Sequence, residues 1–264
     1  MSYQTIILRQ EDSLAELHFN RPESYNALDS VMARELNDAL EKVAGDDSCR
    51  ALLVTGTGPA FHAGGDVKSF HDAAAGEGTA RFIERLVGGF HDAVTRLVRL
   101  PKPTVAAVNG VAAGAGFSLA MGCDLVLACE EALFTCAYSR IGVSPDGSLS
   151  YHLPRLVGYH RAMELYLENR VLSAGEALEW GLVNRVLPAA NFLETARQQA
   201  RALAEGPTAA FARAKELFLG SLFHGLEEQL ELEARGIVDS AGTDDSREGI
   251  KAFMEKRPPV FKGR

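Results

Sequence analysis

Residues 104–124, TVAAVNGVAAGAGFSLAMGCD, combine the patterns of a strand, a glycine-rich turn and a buried helix. The first five residues are small or β-branched and lie between a proline and an Asn-Gly pair, which is typical of an interior strand. Gly110, Gly114 and Gly116 follow, and glycines allow the backbone to approach a neighbour closely. The first amides of the next helix, near Ala115, lack helical acceptors and lie at the positive end of its dipole. This turn is therefore a candidate site for negative charge.

A dinucleotide-binding fold also places glycines between a strand and a helix. Its G-x-G-x-x-G fingerprint requires a third glycine, but Leu119 occupies that place after Gly114 and Gly116. A tight turn that holds a core helix against a sheet is the simplest interpretation of an isolated glycine cluster. The choice between such a turn and a ligand site therefore depends on a second motif.

The second motif is AFHAGGDVK, residues 60–68, which follows the apolar segment 51–55. Together with the glycine-rich turn, this motif resembles the crotonase (enoyl-CoA hydratase/isomerase) superfamily, in which two backbone N–H groups from these loops bind a thioester oxygen. The resemblance extends from about Thr5 to the C-terminus. Further family-like segments occur in order at residues 21–22, 26–28, 101–103, 153–158, 177–183 and 261–263.

The composition is that of an ordinary globular protein. Of the 264 residues, 47% are hydrophobic and 23% are charged, so the chain can bury a large core as one domain with a helical appendage or as two domains. The formal net charge of −8 argues against nucleic acid as the main partner, because phosphate binding depends on basic surface. An anionic ligand then requires local lysine or arginine side chains.

Cysteine usage and hydropathy give the expected compartment. Cys49, Cys123, Cys129 and Cys136 form no C-x-x-C pair, and no histidine near them has metal-ligand spacing. We interpret them as buried thiols in a reducing compartment and expect no metal site. The N-terminus has no apolar core of the signal-peptide type, and no apolar run reaches the roughly 18 residues of a membrane span. We therefore expect a soluble cytoplasmic protein without a membrane partner.

Strands and helices are predicted to alternate in the first two-thirds of the chain, which favours an α/β core. The predicted strands are 6–8, 14–19, 51–55, 104–108, 125–128, 132–135 and 183–186. The predicted helices are 30–44, 80–100, 160–167, 173–180, 192–205, 208–219, 222–238 and 244–255. Residues 57–66 are predicted to form a loop, and residues 73–78 a weakly structured segment that is mobile.

The resemblance implies a more specific architecture than periodicity does. It implies a crotonase-type spiral of ββα turns over residues 1–190 that carries the acyl-CoA site. It also implies a helical C-terminal region over residues 191–264 that builds homotrimers, often paired into hexamers. An apolar stripe of Leu222, Leu226, Leu230 and Ile237 in that region must pack either on the chain's own core or on a neighbouring subunit.

The resemblance also implies which groups act on the substrate. The two oxyanion donors align with the N–H groups of Gly65 and Ala115. Family hydratases hold a water molecule between two glutamates, and those two places are occupied here by Ser118 and Tyr138. The two carboxylates that ordinary hydration uses are therefore missing from this chain. Asp146 resembles the single carboxylate of isomerase branches, which moves a proton between two carbons, although Pro-Asp-Gly is also a strong turn signal.

The enzyme 4-chlorobenzoyl-CoA dehalogenase, another member of the superfamily, gives Asp146 a different role. Its nucleophilic aspartate aligns with Asp146, its catalytic histidine with His91 and its positioning tryptophan with Tyr138. This chain departs from that pattern because tyrosine replaces the indole, although its hydroxyl can still donate to Asp146. It also departs because Gly65 stands where the dehalogenase has phenylalanine. A lone histidine on an amphipathic helix is, moreover, more often structural.

Coenzyme A, as part of the substrate, is expected to contact Ala63, Asp66, Val67 and Lys68 after the first loop. Lys68 is either a phosphate contact or a solvated surface charge. No separate cofactor is expected. The sequence thus predicts an acyl-CoA-processing enzyme, first an enoyl-CoA isomerase that uses Asp146. The alternatives are an aryl-CoA dehalogenase or thioester hydrolase with Asp146 as nucleophile, a hydratase with unusual acids, and a catalytically silent acyl-CoA-binding scaffold.

Overall fold

The computed structural model describes residues 3–76 and 78–264, and its strands form two sheets. The strands are β1 (Ile6–Glu11), β2 (Leu14–Phe19), β3 (Ala51–Gly56), β4 (Ala60–His62), β5 (Thr104–Val108), β6 (Val111–Ala113), β7 (Leu125–Cys129), β8 (Leu133–Thr135), β9 (Leu172–Ser173) and β10 (Arg185–Leu187). The larger sheet has the order β1-β2-β3-β5-β7-β10 and the smaller one β4-β6-β8-β9. The β1/β2 and β8/β9 pairs are antiparallel, and the other pairs are parallel.

Helices connect the strand pairs and complete the C-terminal part of the chain. They are α1 (Ser30–Gly45), α2 (Val67–Ala74), α3 (Thr79–Val98), α4 (Ala115–Met121), α5 (Leu149–Val157), α6 (Tyr159–Leu167), α7 (Ala174–Glu179), α8 (Phe192–Ala204), α9 (Thr208–Gly220), α10 (Leu226–Ala241) and α11 (Asp244–Glu255). Three successive strand pairs, β3–β4, β5–β6 and β7–β8, each send one strand to the larger sheet and the next to the smaller sheet. A helix follows each pair, which confirms the predicted ββα spiral.

The core lies on both faces of the larger sheet. Strand β5 is buried along its whole length, and all of β3 is buried except its last residue. Parallel strands that are covered on both faces are continuously apolar, which is why these two segments were recognisable in the sequence. The largest fully buried side chains include five phenylalanines, Phe19, Phe61, Phe90, Phe117 and Phe134.

The sequence pattern did not predict the short strands β4, β6 and β9 or the helices α2 and α5. The predicted loop 57–66 contains β4, which pairs with β6, and the glycine-rich turn contains β6 itself. A strand of three residues is too short to show a period. Helix α10 begins after Gly225, so Leu222 lies in the preceding turn and not in the helix. In the segment 73–78, residues 73 and 74 belong to α2, and Glu77 lies outside the described residues.

The C-terminal helices leave an apolar face uncovered in the single chain. Leu222, Leu226, Leu230 and Ile237 are 52–71% exposed. Helix α8 differs, because Ala196, Ala200 and Ala204 are buried where it packs on the larger sheet. The division at residue 190 and the homotrimer or hexamer stay predictions. Among the described residues, no helix is long and apolar enough to cross a membrane.

Candidate active site

The two glycine-containing loops meet beside the smaller sheet. One loop follows β4 and the other follows β6, and because these strands are parallel neighbours both loops leave the same edge. A Cβ atom on Gly64 would lie 3.2 Å from the Ala113 carbonyl oxygen, and one on Gly114 would lie 3.5 Å from the Gly64 Cα. The loops therefore contact each other directly through backbone, which larger residues would prevent.

The first candidate amide, that of Gly65, is oriented by a bridge to Leu28. The Leu28 N–H donates to the Gly64 carbonyl at 2.8 Å, and the Asp66 N–H donates to the Leu28 carbonyl at 2.9 Å. In extended backbone, the N–H and C=O groups of one residue point to the opposite side from those of the next residue. The Gly65 N–H therefore faces away from Leu28. In the part of the chain that the structure describes, this N–H donates no backbone hydrogen bond.

The second candidate amide belongs to Ala115, the first residue of α4. Gly114 precedes it with a φ of +52° and donates its own N–H to the Thr135 carbonyl at 3.2 Å. The first helical bond, from Ser118 N–H to the Gly114 carbonyl, spans 3.0 Å. The Ala115 N–H therefore has no helical acceptor and is free to bind a ligand.

A buried histidine that the sequence did not single out supports the first loop. The His62 Nδ1 accepts the Gly64 N–H at 3.1 Å, so this nitrogen carries no proton. Complete burial lowers the pKa of His62 to about 3, which keeps the ring neutral. Its backbone also lies against α4, because a Cβ on Gly116 would meet the His62 carbonyl oxygen at 1.9 Å.

We expect Gly116→Ala to destabilise the fold by about 2–3 kcal/mol, because backbone atoms of His62 cannot rotate away from the new methyl group. The free energy of unfolding in urea measures this effect. Gly88→Ala is the matched control, since a Cβ at this exposed position of α3 meets nothing within 4 Å. That change should stabilise the protein by about 0.5–1 kcal/mol. Equal unfolding free energies for the two variants would contradict the close packing of the loops.

Asp146 lies at the start of the loop that leads into α5, with its side chain 26% exposed. The Tyr138 hydroxyl donates to the Asp146 Oδ1 at 2.7 Å. Burial raises the pKa of Asp146, and the hydrogen bond from Tyr138 opposes that increase. Burial, followed by the nearby Asp146 charge, raises the pKa of Tyr138 well above its usual value, so its hydroxyl stays protonated as a donor.

Ser118 connects α4 to the Asp146 loop. Its fully buried hydroxyl lies 2.9 Å from the Asp146 carbonyl oxygen and 2.9 Å from the Tyr138 hydroxyl. One short helix therefore presents the Ala115 N–H at its start and, one turn later, a hydroxyl that contacts the backbone of Asp146. The sequence placed Ser118 near the substrate but gave no signal for this contact.

His91, on α3, lies next to the same loop. Its Nε2 is 3.8 Å from the Asp146 Oδ2 and accepts the Gly147 N–H at 3.2 Å. Helical periodicity alone predicted a structural role for His91, but the structure places its ring beside the Asp146 carboxylate. Because an accepting nitrogen carries no proton, the His91 Nε2 makes no hydrogen bond to the carboxylate in this arrangement.

Asp66, one of the residues expected to contact coenzyme A, makes structural contacts at the start of α2. Its carboxylate accepts the Ser69 N–H at 3.3 Å as the N-cap of α2. The Arg21 Nη2 lies 3.1 Å from the Asp66 Oδ2, and this arginine also donates to the Ala27 carbonyl. Asp66 therefore holds the first loop against the segment before α1, and Arg21 is a loop-supporting residue that the sequence did not identify.

The other three expected contacts differ in accessibility. The Ala63 N–H donates to the Tyr25 carbonyl at 3.0 Å, which leaves its small side chain at the base of the loop. Val67 and Lys68 are exposed in the first turn of α2. Both side chains are therefore open to solvent, and a phosphate contact by Lys68 stays a prediction.

Comparison with known proteins decides the family. The family model described as Enoyl-CoA hydratase/isomerase matches residues 9–264. The chain belongs to the enoyl-CoA hydratase/isomerase family. It is 40% identical to a Rhodobacter capsulatus protein named probable enoyl-CoA hydratase over 100% of both chains. It is 39% identical to the Escherichia coli 1,2-epoxyphenylacetyl-CoA isomerase over 98% of both, and 36% identical to the Arthrobacter 4-chlorobenzoyl coenzyme A dehalogenase-2 over 95% of this chain and 91% of that protein.

Membership of the enoyl-CoA hydratase/isomerase family confirms the resemblance and identifies the protein as an acyl-CoA-transforming enzyme of this family. The names of these relatives cover hydration, isomerisation and dehalogenation, so the reaction must be inferred from the site. Across residues 3–76 and 78–264, no group of three or more His, Cys, Asp or Glu side chains is placed to hold a metal ion.

An aromatic side chain lies beside the first candidate amide of this family member. A Cβ on Gly65 would be 2.6 Å from the Cζ of Phe70, which α2 holds over the loop. The Phe70 ring packs edge-on against Phe82 of α3, with ring centroids 6.0 Å apart. Although position 65 is a glycine, an aromatic ring from α2 therefore lies against its backbone.

Proposed function

We propose that the protein is an enoyl-CoA isomerase that shifts a double bond along an acyl chain, with Asp146 as its single acid and base. The observation that carries this proposal is the partly buried Asp146 carboxylate, held by the Tyr138 hydroxyl. Among the described residues, it is the one carboxylate that accepts a hydrogen bond from Tyr138, whose hydroxyl also contacts Ser118, and this isolation supports a role as a single proton carrier.

In the proposed reaction the thioester oxygen lies between the N–H groups of Gly65 and Ala115. Removing a proton from the carbon next to the thioester transfers negative charge to this oxygen. Amides that are already fixed by the fold stabilise that charge without reorganisation, and one such donor is worth about 3–4 kcal/mol. The loops are fixed by close packing, and neither amide has a backbone acceptor among the residues that the structure describes, which supports this role.

The proton transfers balance with one carboxylate. Asp146 takes a proton from C2 of a 3-enoyl thioester, and the electron pair moves into a dienolate whose charge rests on the thioester oxygen. The neutral acid then gives the same proton to C4, so the double bond moves to C2 and the carboxylate is regenerated. A pKa raised by burial makes Asp146 a stronger base than an exposed aspartate.

Hydration requires a different arrangement. Water addition needs one group to activate the water and another to protonate the adjacent carbon. The family's two glutamate positions are occupied by Ser118 and Tyr138, and the Tyr138 hydroxyl is kept protonated by burial. The 39% identity to a relative named as an isomerase is consistent with isomerisation, although a relative of similar identity is named as a hydratase.

Product mass distinguishes the candidate reactions. We would incubate the protein separately with a 3-enoyl-CoA, a 2-enoyl-CoA and 4-chlorobenzoyl-CoA, and analyse products by mass spectrometry. We expect conversion of the 3-enoyl thioester to a product of unchanged mass that gains the absorbance of a conjugated thioester. A gain of one water would instead indicate hydration, a release of free coenzyme A would indicate thioester hydrolysis, and an exchange of chlorine for hydroxyl would indicate dehalogenation. Each of these results would contradict isomerisation as the reaction. Binding without turnover would favour the scaffold.

A second candidate, hydrolytic dehalogenation or thioester hydrolysis, is favoured by one specific observation. His91 Nε2 lies 3.8 Å from the Asp146 Oδ2, where a base could activate water against an ester formed on Asp146. The bond from Gly147 N–H already occupies the lone pair that such a base needs. We therefore rank this candidate second.

A further inference from the structure

We propose that His91 is a positioning residue for Asp146, which it holds through the backbone N–H of Gly147 and not through proton transfer. The inference rests on the proposed function, in which Asp146 is the acid and base. It starts from two distances, 3.2 Å from the Gly147 nitrogen to the His91 Nε2 and 3.8 Å from that Nε2 to the Asp146 Oδ2.

The shorter distance fixes the protonation state of the ring. A backbone N–H can donate only to a nitrogen with a free lone pair, so Nε2 is unprotonated and the proton of the neutral ring lies on Nδ1. The longer distance exceeds that of a hydrogen bond. His91 therefore contacts the backbone of the Asp146 loop, and its nitrogen has no lone pair left to accept a substrate proton.

Three side chains from three elements hold Asp146 at different points. The Tyr138 hydroxyl binds its carboxylate, the Ser118 hydroxyl binds its carbonyl oxygen, and His91 binds the amide that follows it. Because His91 belongs to α3, its hydrogen bond with the Gly147 N–H connects the Asp146 loop to that helix.

Close packing on the same turn explains why this point of attachment matters. Gly147 has a φ of +59°, and a Cβ there would meet the Phe90 Cε1 at 2.5 Å and the Ser118 Cβ at 3.0 Å. Phe90 thus fixes the turn by contact, and His91, the next residue of α3, fixes it by a hydrogen bond. A carboxylate that must reach two carbons in turn has to stay within about 0.5 Å of its productive position. Losing the His91 acceptor would let the turn shift without unfolding it, since the His91 side chain is 49% exposed.

The test compares His91→Ala with His91→Gln in the full-length protein. The glutamine amide oxygen is as far along the side chain as Nε2 and can accept the Gly147 N–H. We expect His91→Ala to lower kcat for 3-enoyl-CoA isomerisation about 10- to 100-fold with little change in KM, and His91→Gln to recover most of the loss. His160→Ala, at an exposed histidine of α6, is the matched control and should behave as wild type.

A spectroscopic measurement tests the hydrogen bond without relying on turnover. In protein with ¹⁵N-labelled histidine, we expect the His91 Nε2 to show the shift of an unprotonated nitrogen and Nδ1 that of a protonated one. The reverse assignment would overturn the inference, as would equal loss of kcat in the alanine and glutamine variants or no loss in either. Failure of the wild type to isomerise any 3-enoyl-CoA would instead overturn the proposed function, which separates the two failures.

Discussion

Replacing Asp146 with asparagine is expected to lower kcat/KM for isomerisation about 10²- to 10⁴-fold, the usual contribution of a positioned acid and base. Asparagine has nearly the same shape, and its carbonyl oxygen can still accept the Tyr138 hydroxyl that now binds the carboxylate at 2.7 Å. It cannot take a proton from carbon. The loss should therefore appear in the chemical step and leave the site intact.

Two measurements separate loss of chemistry from loss of structure. The Kd of a saturated acyl-CoA, which cannot isomerise, should stay within about twofold of wild type, because the oxyanion amides are unchanged. Tyr138→Phe removes the hydrogen bond but keeps the carboxylate, so its kcat should fall much less than that of Asp146→Asn. An Asp146→Asn variant that isomerises as fast as wild type would remove Asp146 from the mechanism.

The same variant is expected to unfold at a higher temperature than wild type. Burial raises the pKa of Asp146 in the folded state, so the charged carboxylate is less favourable in the fold than in the unfolded chain. This cost is fully present above the raised folded-state pKa and disappears as pH falls below the unfolded value. At pH 7 the asparagine should therefore raise Tm by about 1–3 °C, and in acid the difference should vanish. The activity of the wild type should fall as pH decreases through the same raised pKa.

The sequence predicted those parts of the site that depend on local structure. Strand β5 has the bounds 104–108 that its β-branched run indicated, and α4 begins at Ala115 as the glycines indicated. Both results follow from short-range causes, the fit of branched side chains to a sheet and the freedom of glycine in a turn. The candidate amides of Gly65 and Ala115 were named instead through the resemblance to the family, and their role as oxyanion donors stays a prediction.

The hydrogen bond from Tyr138 to Asp146 was anticipated through the family resemblance, but the contacts of His91 and Ser118 with the Asp146 loop could not be predicted from local structure. His91 follows the buried Phe90 on an amphipathic helix, and helical periodicity alone makes such a residue structural. Its position beside Gly147 results from the way α3 packs on the turn before α5. Likewise, Ser118 contacts Asp146 only because the spiral brings α4 beside that loop. Tertiary packing of this kind is not encoded in any spacing along the chain.

Replacing Ala115 with proline is expected to lower kcat/KM about 10²- to 10³-fold, the usual cost of losing one oxyanion donor. Proline has no N–H and places a ring carbon where the amide hydrogen pointed, so the change removes the proposed donor and narrows the place of the thioester oxygen, while no side chain of the Asp146 cluster is replaced. The first position of a helix is also where proline is best tolerated, since its N–H would have no helical acceptor. Far-ultraviolet circular dichroism should therefore show a folded protein.

Proline is the right probe at position 115 because the partner amide cannot be tested this way. Any side chain on Gly65 would meet the Phe70 ring, so a substitution there would also disturb the packing of α2 on the first loop. Ser30→Pro is the matched control, since Ser30 is the first residue of α1 and its N-cap, Asp29, has extended backbone that proline accepts. The control should keep wild-type activity. If the folded Ala115→Pro variant did so as well, the Ala115 N–H could not be an oxyanion donor, and the charge on the thioester oxygen would have to be stabilised elsewhere.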